Sequence, residues 1–136
     1  MRYVIAALAA AGIVVSFLAL IEHYSPPPQP IDLVHSEWNS AYVNHSSYAE
    51  VYGVPVAALG IAGYSLLGTL TLFRRRALTV YCANAGLAYA LYLTTIEAHI
   101  LRVWCVYCVA SLILIVLITF LAFAELIFAR STATDR

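Results

Sequence analysis

The sequence predicts an all-α integral membrane protein: one domain over residues 1–136, built as a four-transmembrane-helix bundle with an extracytoplasmic loop and a short interfacial helix between helices 1 and 2. Three observations carry this. Of the 136 residues, 63% are apolar and 10% charged, too oily a balance for a soluble globule. Residues 3–21, 51–73, 77–96 and 103–124 form uncharged stretches of 19, 23, 20 and 22 residues, and about 20 apolar residues cross the hydrocarbon core as a helix. The chain has no lysine, and with the N-terminus inside, six of its seven arginines (Arg2, Arg74, Arg75, Arg76, Arg130, Arg136) fall on the cytoplasmic side. That is a positive-inside bias. The expected location is therefore the cell membrane, multi-pass, with both termini cytoplasmic.

Helix 1 is expected over residues 3–23. Its Ala-rich start followed by Pro26-Pro27-Pro28 has some character of a cleaved signal, but 19 uncharged residues exceed the usual apolar region of roughly 7–15. The outer loop, residues 24–53, opens extended, because proline fixes its own φ and restricts the residue before it. Its second half changes character. Ser47-Tyr48-Ala49-Glu50 has capping-box spacing and predicts a short helix from Ser47, resting on the interface with Trp38 and Trp104.

Helix 2 is expected over 54–74, with Pro55 in its first turn, where a missing N–H costs little. Gly60, Gly63 and Gly68 let a neighbouring backbone approach it closely. The arginine turn makes helix 3, at 77–98, antiparallel to it. Helix 4 follows at 103–129 after a turn at Arg102, which is the only arginine outside.

The chemistry concentrates at Trp104-Cys105-Val106-Tyr107-Cys108. Two cysteines three apart share a face of the first turns of helix 4, where the positive end of the helix dipole favours a thiolate. The predicted topology puts them on the oxidising side of the membrane, where disulfides form and persist. Cys105 is expected nearer water, with Cys108 about 4.5 Å deeper at 1.5 Å per residue. Such a pair suits electron transfer between protein thiols and a lipid-soluble carrier, whereas packing cysteines would leave it idle. No metal is expected, since a structural zinc needs four ligands and only His99 is near the pair in sequence. Cys82, six residues past Arg76, reads as apolar filler on the cytoplasmic side. Glu97 is an acid near the pair, suited to proton handling or to pairing with Arg102, and Glu125 is placed to pair with Arg130. Asn44-His45-Ser46 fits a glycosylation sequon.

The outer-loop run Ser46-Ser47-Tyr48-Ala49-Glu50-Val51-Tyr52-Gly53-Val54-Pro55, then Gly60 and Tyr64, then the CxxC with Ser111, resembles the vitamin K epoxide reductase family over nearly the whole chain, in its microbial form. The resemblance implies a CxxC that exchanges electrons with a quinone in the bundle. It further implies a loop cysteine pair that shuttles electrons from an extracytoplasmic thioredoxin-fold thiol protein. Cys108 would be the quinone-facing thiol and Cys105 the one that exchanges with the loop.

The chain departs from that pattern in its loop. Thirteen residues before Gly53, where the second loop cysteine should stand, it has Ser40, and Ser36 occupies a plausible place for the first. Serine forms no disulfide, so the shuttle cannot run as written. We read the serines as replacements of cysteines; the rival is an enzyme using a different route. The quinone-contacting asparagine and tyrosine of the animal enzymes fall on Val56 and Leu112, both apolar here, which speaks against epoxide reduction. Val56, Ser111 and Leu112 are the expected pocket wall.

The resulting expectation is a thiol:quinone oxidoreductase supporting disulfide-bond formation, with a menaquinone, ubiquinone or vitamin K type quinone as acceptor. Membrane lipid is a further partner, and no nucleic acid is expected. A small four-helix transporter would need an acid in mid-helix, which helix 1 lacks. A structural tetraspan interaction protein would leave the CxxC without work.

Overall fold

The computed structural model describes residues 1–26 and 38–136. The expected first loop position, Ser36, lies outside the described residues. The described residues form five α-helices in order: α1 (Arg2–Tyr24), α2 (Ser40–Asn44), α3 (Val56–Leu72), α4 (Arg76–Ile96) and α5 (Val106–Thr134). A two-stranded hairpin, β1 (Glu50–Val51) and β2 (Val54–Pro55), precedes α3.

Among the described residues, three helical stretches are long and apolar enough to cross a membrane: Arg2–Tyr24, Arg76–Leu101 and Val106–Thr134. The fourth apolar helix, α3, has 17 residues, or about 26 Å at 1.5 Å per residue. It begins two residues later than expected because Val54 and Pro55 are taken up by the hairpin, pairing with Val51 and Glu50. Tyr52 and Gly53 turn that hairpin with φ of 52° and 81°, and two successive positive φ values match the twist of the strands they join. Instead of an α-helix from Ser47 there is a single 3-10 turn, Ser47–Ala49, and the α-helical part of the segment between α1 and α3 (the outer segment, after its expected side) is α2, capped by the Asn39 side chain on the Tyr42 N–H.

The helix ends explain the connections. At the end of α3, Arg74 adopts φ 58°, so that Arg74 N–H reaches Thr71 O at 3.1 Å and Arg75 N–H reaches Leu70 O at 2.9 Å. That left-handed cap satisfies two orphan carbonyls and reverses the chain within the arginine run. Inside α3, Ser65, Thr69 and Thr71 return their hydroxyls to carbonyls four residues back, which leaves no donor facing lipid. Glu125 pairs with Arg76 at 3.4 Å across α4 and α5, and not with Arg130. The two helices are antiparallel, which brings the start of one beside the late turns of the other.

The core is drawn from four helices: Ile5 and Ala9 of α1, Tyr64 and Leu67 of α3, Val80 and Ala83 of α4, and Ile115, Ile118 and Ala122 of α5. Helix α1 packs chiefly on α3 and α5, and α4 on α5. Close approach of α1 to α3 depends on Gly12, where a Cβ would lie 2.4 Å from the Tyr64 ring. Outside this core, Phe17, Ile21, Tyr81, Phe120 and Ile127 are all exposed. Helices apolar on their outward faces as well as their inward ones suit a lipid surround.

The outer segment is tied to the top of α1. His23 places Nδ1 2.5 Å from the Asn44 carbonyl oxygen and Nε2 3.1 Å from the Glu50 carboxylate. Asn44 is 7% exposed, so the sequon at 44–46 is closed to a glycan.

Candidate active site

Helix α4 does not stop at Ile96 but passes into one π turn, Glu97–Leu101, ended by Arg102 in the left-handed region at φ 54°. Single π turns concentrate at functional sites. The chain then runs extended through Val103 and Trp104. Trp104 forms a parallel bridge with Trp38, its carbonyl accepting the Asn39 N–H at 3.0 Å. The outer segment is thereby pinned across the head of α5.

Cys105 is the N-cap of α5, just outside the helix and not within its first turn. Its Sγ accepts the Cys108 N–H at 3.4 Å, while the Ser40 Oγ accepts the Val106 N–H at 3.0 Å. Two of the orphan donors at the helix start are thus met by a thiol and a hydroxyl. Cys105 is 0% exposed, where a position nearer water was expected. The reason is the pinned outer segment, which sets Ser40 over the thiol. The Cys108 thiol and N–H and the Ser40 hydroxyl hold the Cys105 thiol below the ordinary range, against burial and the charge of Glu97.

Glu97 is 2% exposed. Its Oε2 accepts the Cys105 N–H at 3.2 Å, its carboxyl group also interacts with the Cys108 thiol, and Oε1 is buried with no hydrogen-bond partner among the described residues. The expected pairing with Arg102 does not occur among the described residues. A left-handed Arg102 is exposed and turns the chain away instead.

Beneath the pair lies a cavity of about 370 Å³, a size that takes a small organic ligand. Val56 at the start of α3, Gly60 and Tyr64 form one wall, Tyr89, Leu93 and Glu97 another, and Cys108 and Ser111 of α5 a third; Val43 and Asn44 of α2 also line it. The Tyr64 hydroxyl donates to the Ser111 carbonyl at 2.8 Å and lies equally close to its Oγ. Most of the remaining lining is aliphatic or aromatic carbon.

Of the residues expected in the pocket wall, Val56 and Ser111 line the cavity and Leu112 does not. It packs on the core cluster beside Ile115, because one residue along a helix turns the side chain about 100° from Ser111. Cys82 is half-buried and lines the same cavity as well as touching the core. All three cysteines are free thiols, and no group of three or more His, Cys, Asp or Glu side chains among the described residues could hold a metal ion. The sequence places Glu97 near the pair, but two features are not legible in it: the N-cap position of Cys105 and the hydrogen bond from its N–H to the Glu97 carboxylate eight residues upstream. The π turn and the left-handed Arg102 break helical register between those residues, so no spacing rule connects them.

No curated protein sequence matches the chain. A model of the vitamin K epoxide reductase family matches residues 3–123, running from the start of α1 to the late turns of α5 and so enclosing the cysteine pair and the whole cavity. With its apolar spans, the chain is a multi-pass membrane protein and an oxidoreductase, and it belongs to the vitamin K epoxide reductase family.

Proposed function

We propose that this protein is a thiol:quinone oxidoreductase that passes two electrons from an extracytoplasmic thiol protein, through Cys105 and Cys108, to a membrane quinone. One observation carries the reading: Cys108 and Ser111 open on an apolar cavity while Cys105, one turn above, is overlaid by the outer segment at Ser40. The two thiols therefore face different neighbours. The quinone is a substrate here, taken from the bilayer and released as quinol. The lining fits a flat, mostly apolar ring: carbon surface dominates, and the buried Oε1 of Glu97 lacks a partner among the described residues.

All four apolar helices cross the membrane in this reading. Helix α3 is short, but the uncharged stretch 51–73 lets the hairpin make up the distance at the outer face. Both termini are cytoplasmic, and the cysteine pair is at the outer face.

The chemistry balances simply. Cys105 and Cys108 lose two protons and two electrons and form a disulfide, and the quinone gains both to become quinol. The disulfide is then reopened by thiolate attack on Cys105, the sulfur on the side of the outer segment. Ser40 stands where the attacking loop cysteine would be. As written, the chain performs the quinone half-reaction once and lacks the shuttle that reloads it.

The test separates the two halves. Pre-reduced protein, freed of reductant and mixed with a short-tailed, fully ring-substituted benzoquinone, should yield one quinol per chain by absorbance. Cys105→Ala and Cys108→Ala should yield none. Repeated turnover from a reduced thioredoxin-fold donor should require Ser36→Cys with Ser40→Cys. Failure to form the first quinol sinks the reading; a first quinol without revival by the loop cysteines sinks the shuttle assignment alone.

A further inference from the structure

We propose that Glu97 is the proton acceptor for the cysteine pair, taking the proton of Cys108 as that sulfur is oxidised and returning it to an oxygen of the quinone. The proposal rests on the thiol:quinone reading and adds a third reacting residue to it.

Oxidising Cys108 requires its S–H proton to go somewhere, and the wall around it is almost all carbon. Among the described residues that line the cavity, Glu97 is the only carboxylic acid. Its carboxyl group interacts with the Cys108 thiol, and one oxygen is already oriented by the Cys105 N–H at 3.2 Å. The other oxygen, Oε1, is buried and without a hydrogen-bond partner among the described residues. An unpartnered carboxylate oxygen in an apolar site is costly for folding, and the π turn at Glu97–Leu101 holds it there. A purely structural acid would have both oxygens satisfied. The titratable groups facing the carboxyl are Cys105 and Cys108 from the head of α5, with Tyr48, Tyr64, Cys82, Tyr89 and Tyr107 sharing the cavity wall. His99 and Arg102, on its own connection, are exposed.

The step balances as follows. Cys108 gives its proton to Glu97, Cys105 gives its proton to water at the outer face, and the two sulfurs join while two electrons pass to the quinone. The quinone takes one proton from Glu97 and one from water. Glu97 ends as it began.

The experiment is single-turnover quinol formation by pre-reduced protein, comparing the unchanged chain with Glu97→Gln and Glu97→Asp across pH. The amide oxygen of Glu97→Gln can still accept the Cys105 N–H but cannot take a proton. Its rate at saturating quinone should fall about 100-fold or more, the usual reach of general base catalysis. The half-saturating quinone concentration should hold, and Glu97→Asp should recover part of the rate. Alkylation of Cys105 in reduced Glu97→Gln should reach half-completion at lower pH than in the unchanged chain, because a negative charge beside the thiol is gone. A saturated rate within about threefold of the unchanged chain overturns the proposal, as does a loss confined to half-saturation. Should the unchanged chain form no quinol, the thiol:quinone reading falls instead. The alkylation profile then still judges Glu97, and an unmoved midpoint overturns its role.

Discussion

Replacing Ser40 with cysteine tests whether the outer segment is seated over the reactive pair. In Ser40→Cys combined with Cys108→Ala, Cys105 keeps a single candidate partner. Ser40 Oγ accepts the N–H of Val106, the residue after Cys105, at 3.0 Å, and its hydroxyl acts directly on the Cys105 thiol. A sulfur at that place should join Cys105 on mild oxidation. The link from 40 to 105 closes a loop of 66 residues, which on the chain-entropy account stabilises by about 4 kcal/mol. The oxidised protein should therefore melt roughly 10 °C above the reduced one in detergent. Mass spectrometry of proteolysed, non-reduced protein should find the 40–105 peptide pair. If oxidation leaves Cys105 open to alkylation and no such pair is recovered, the seating of Trp38 to Ser40 across the head of α5 is wrong.

Two further outcomes follow from the same geometry. Gly12→Ala should lower stability by about 1–3 kcal/mol, as overpacking a filled core does, because the new Cβ would meet the Tyr64 ring at 2.4 Å. That ring is 5% exposed and its hydroxyl is held by Ser111, so a melting temperature unchanged in Gly12→Ala would refute the close approach of α1 and α3. Alkylation of Cys105 in reduced protein should reach half-completion below the ordinary thiol value of about 8.5, since the Cys108 thiol and N–H and the Ser40 hydroxyl stabilise the thiolate. Ser40→Ala removes one of those donors and should move the midpoint up; a midpoint at or above the ordinary value in the unchanged chain would refute the hydrogen-bonded arrangement.

Much of the architecture was readable from charge and hydropathy alone. The uncharged stretches located α1, α4 and α5 because a helix in lipid must be long, apolar and internally hydrogen-bonded, and those demands are written residue by residue. The ends were less legible. Helix α3 lost its first residues to a hairpin turned by Tyr52 and Gly53, and α5 began at Val106 and ran to Thr134. Helix ends are settled by caps and by neighbouring segments, which leave little trace in composition. The CxxC itself was plain. Its surroundings were not: spacing from Cys108 points Leu112 at the cavity whereas it packs against the core, and nearness in sequence pairs Glu125 with Arg130 whereas it meets Arg76.

The sequence by itself determined that this is a membrane chain, roughly where its helices run, and that a dithiol stands at the head of the last one. Those properties are local, set by the solvent each stretch tolerates and by the reactivity of sulfur. Tertiary structure decided that Ser40 lies over a fully buried Cys105, that Glu97 reaches the pair across a broken helical register, and that Cys108 opens on a cavity to which all five α-helices contribute. Contacts between residues far apart in the chain depend on turns, caps and packing acting together, and no single stretch of sequence carries that information.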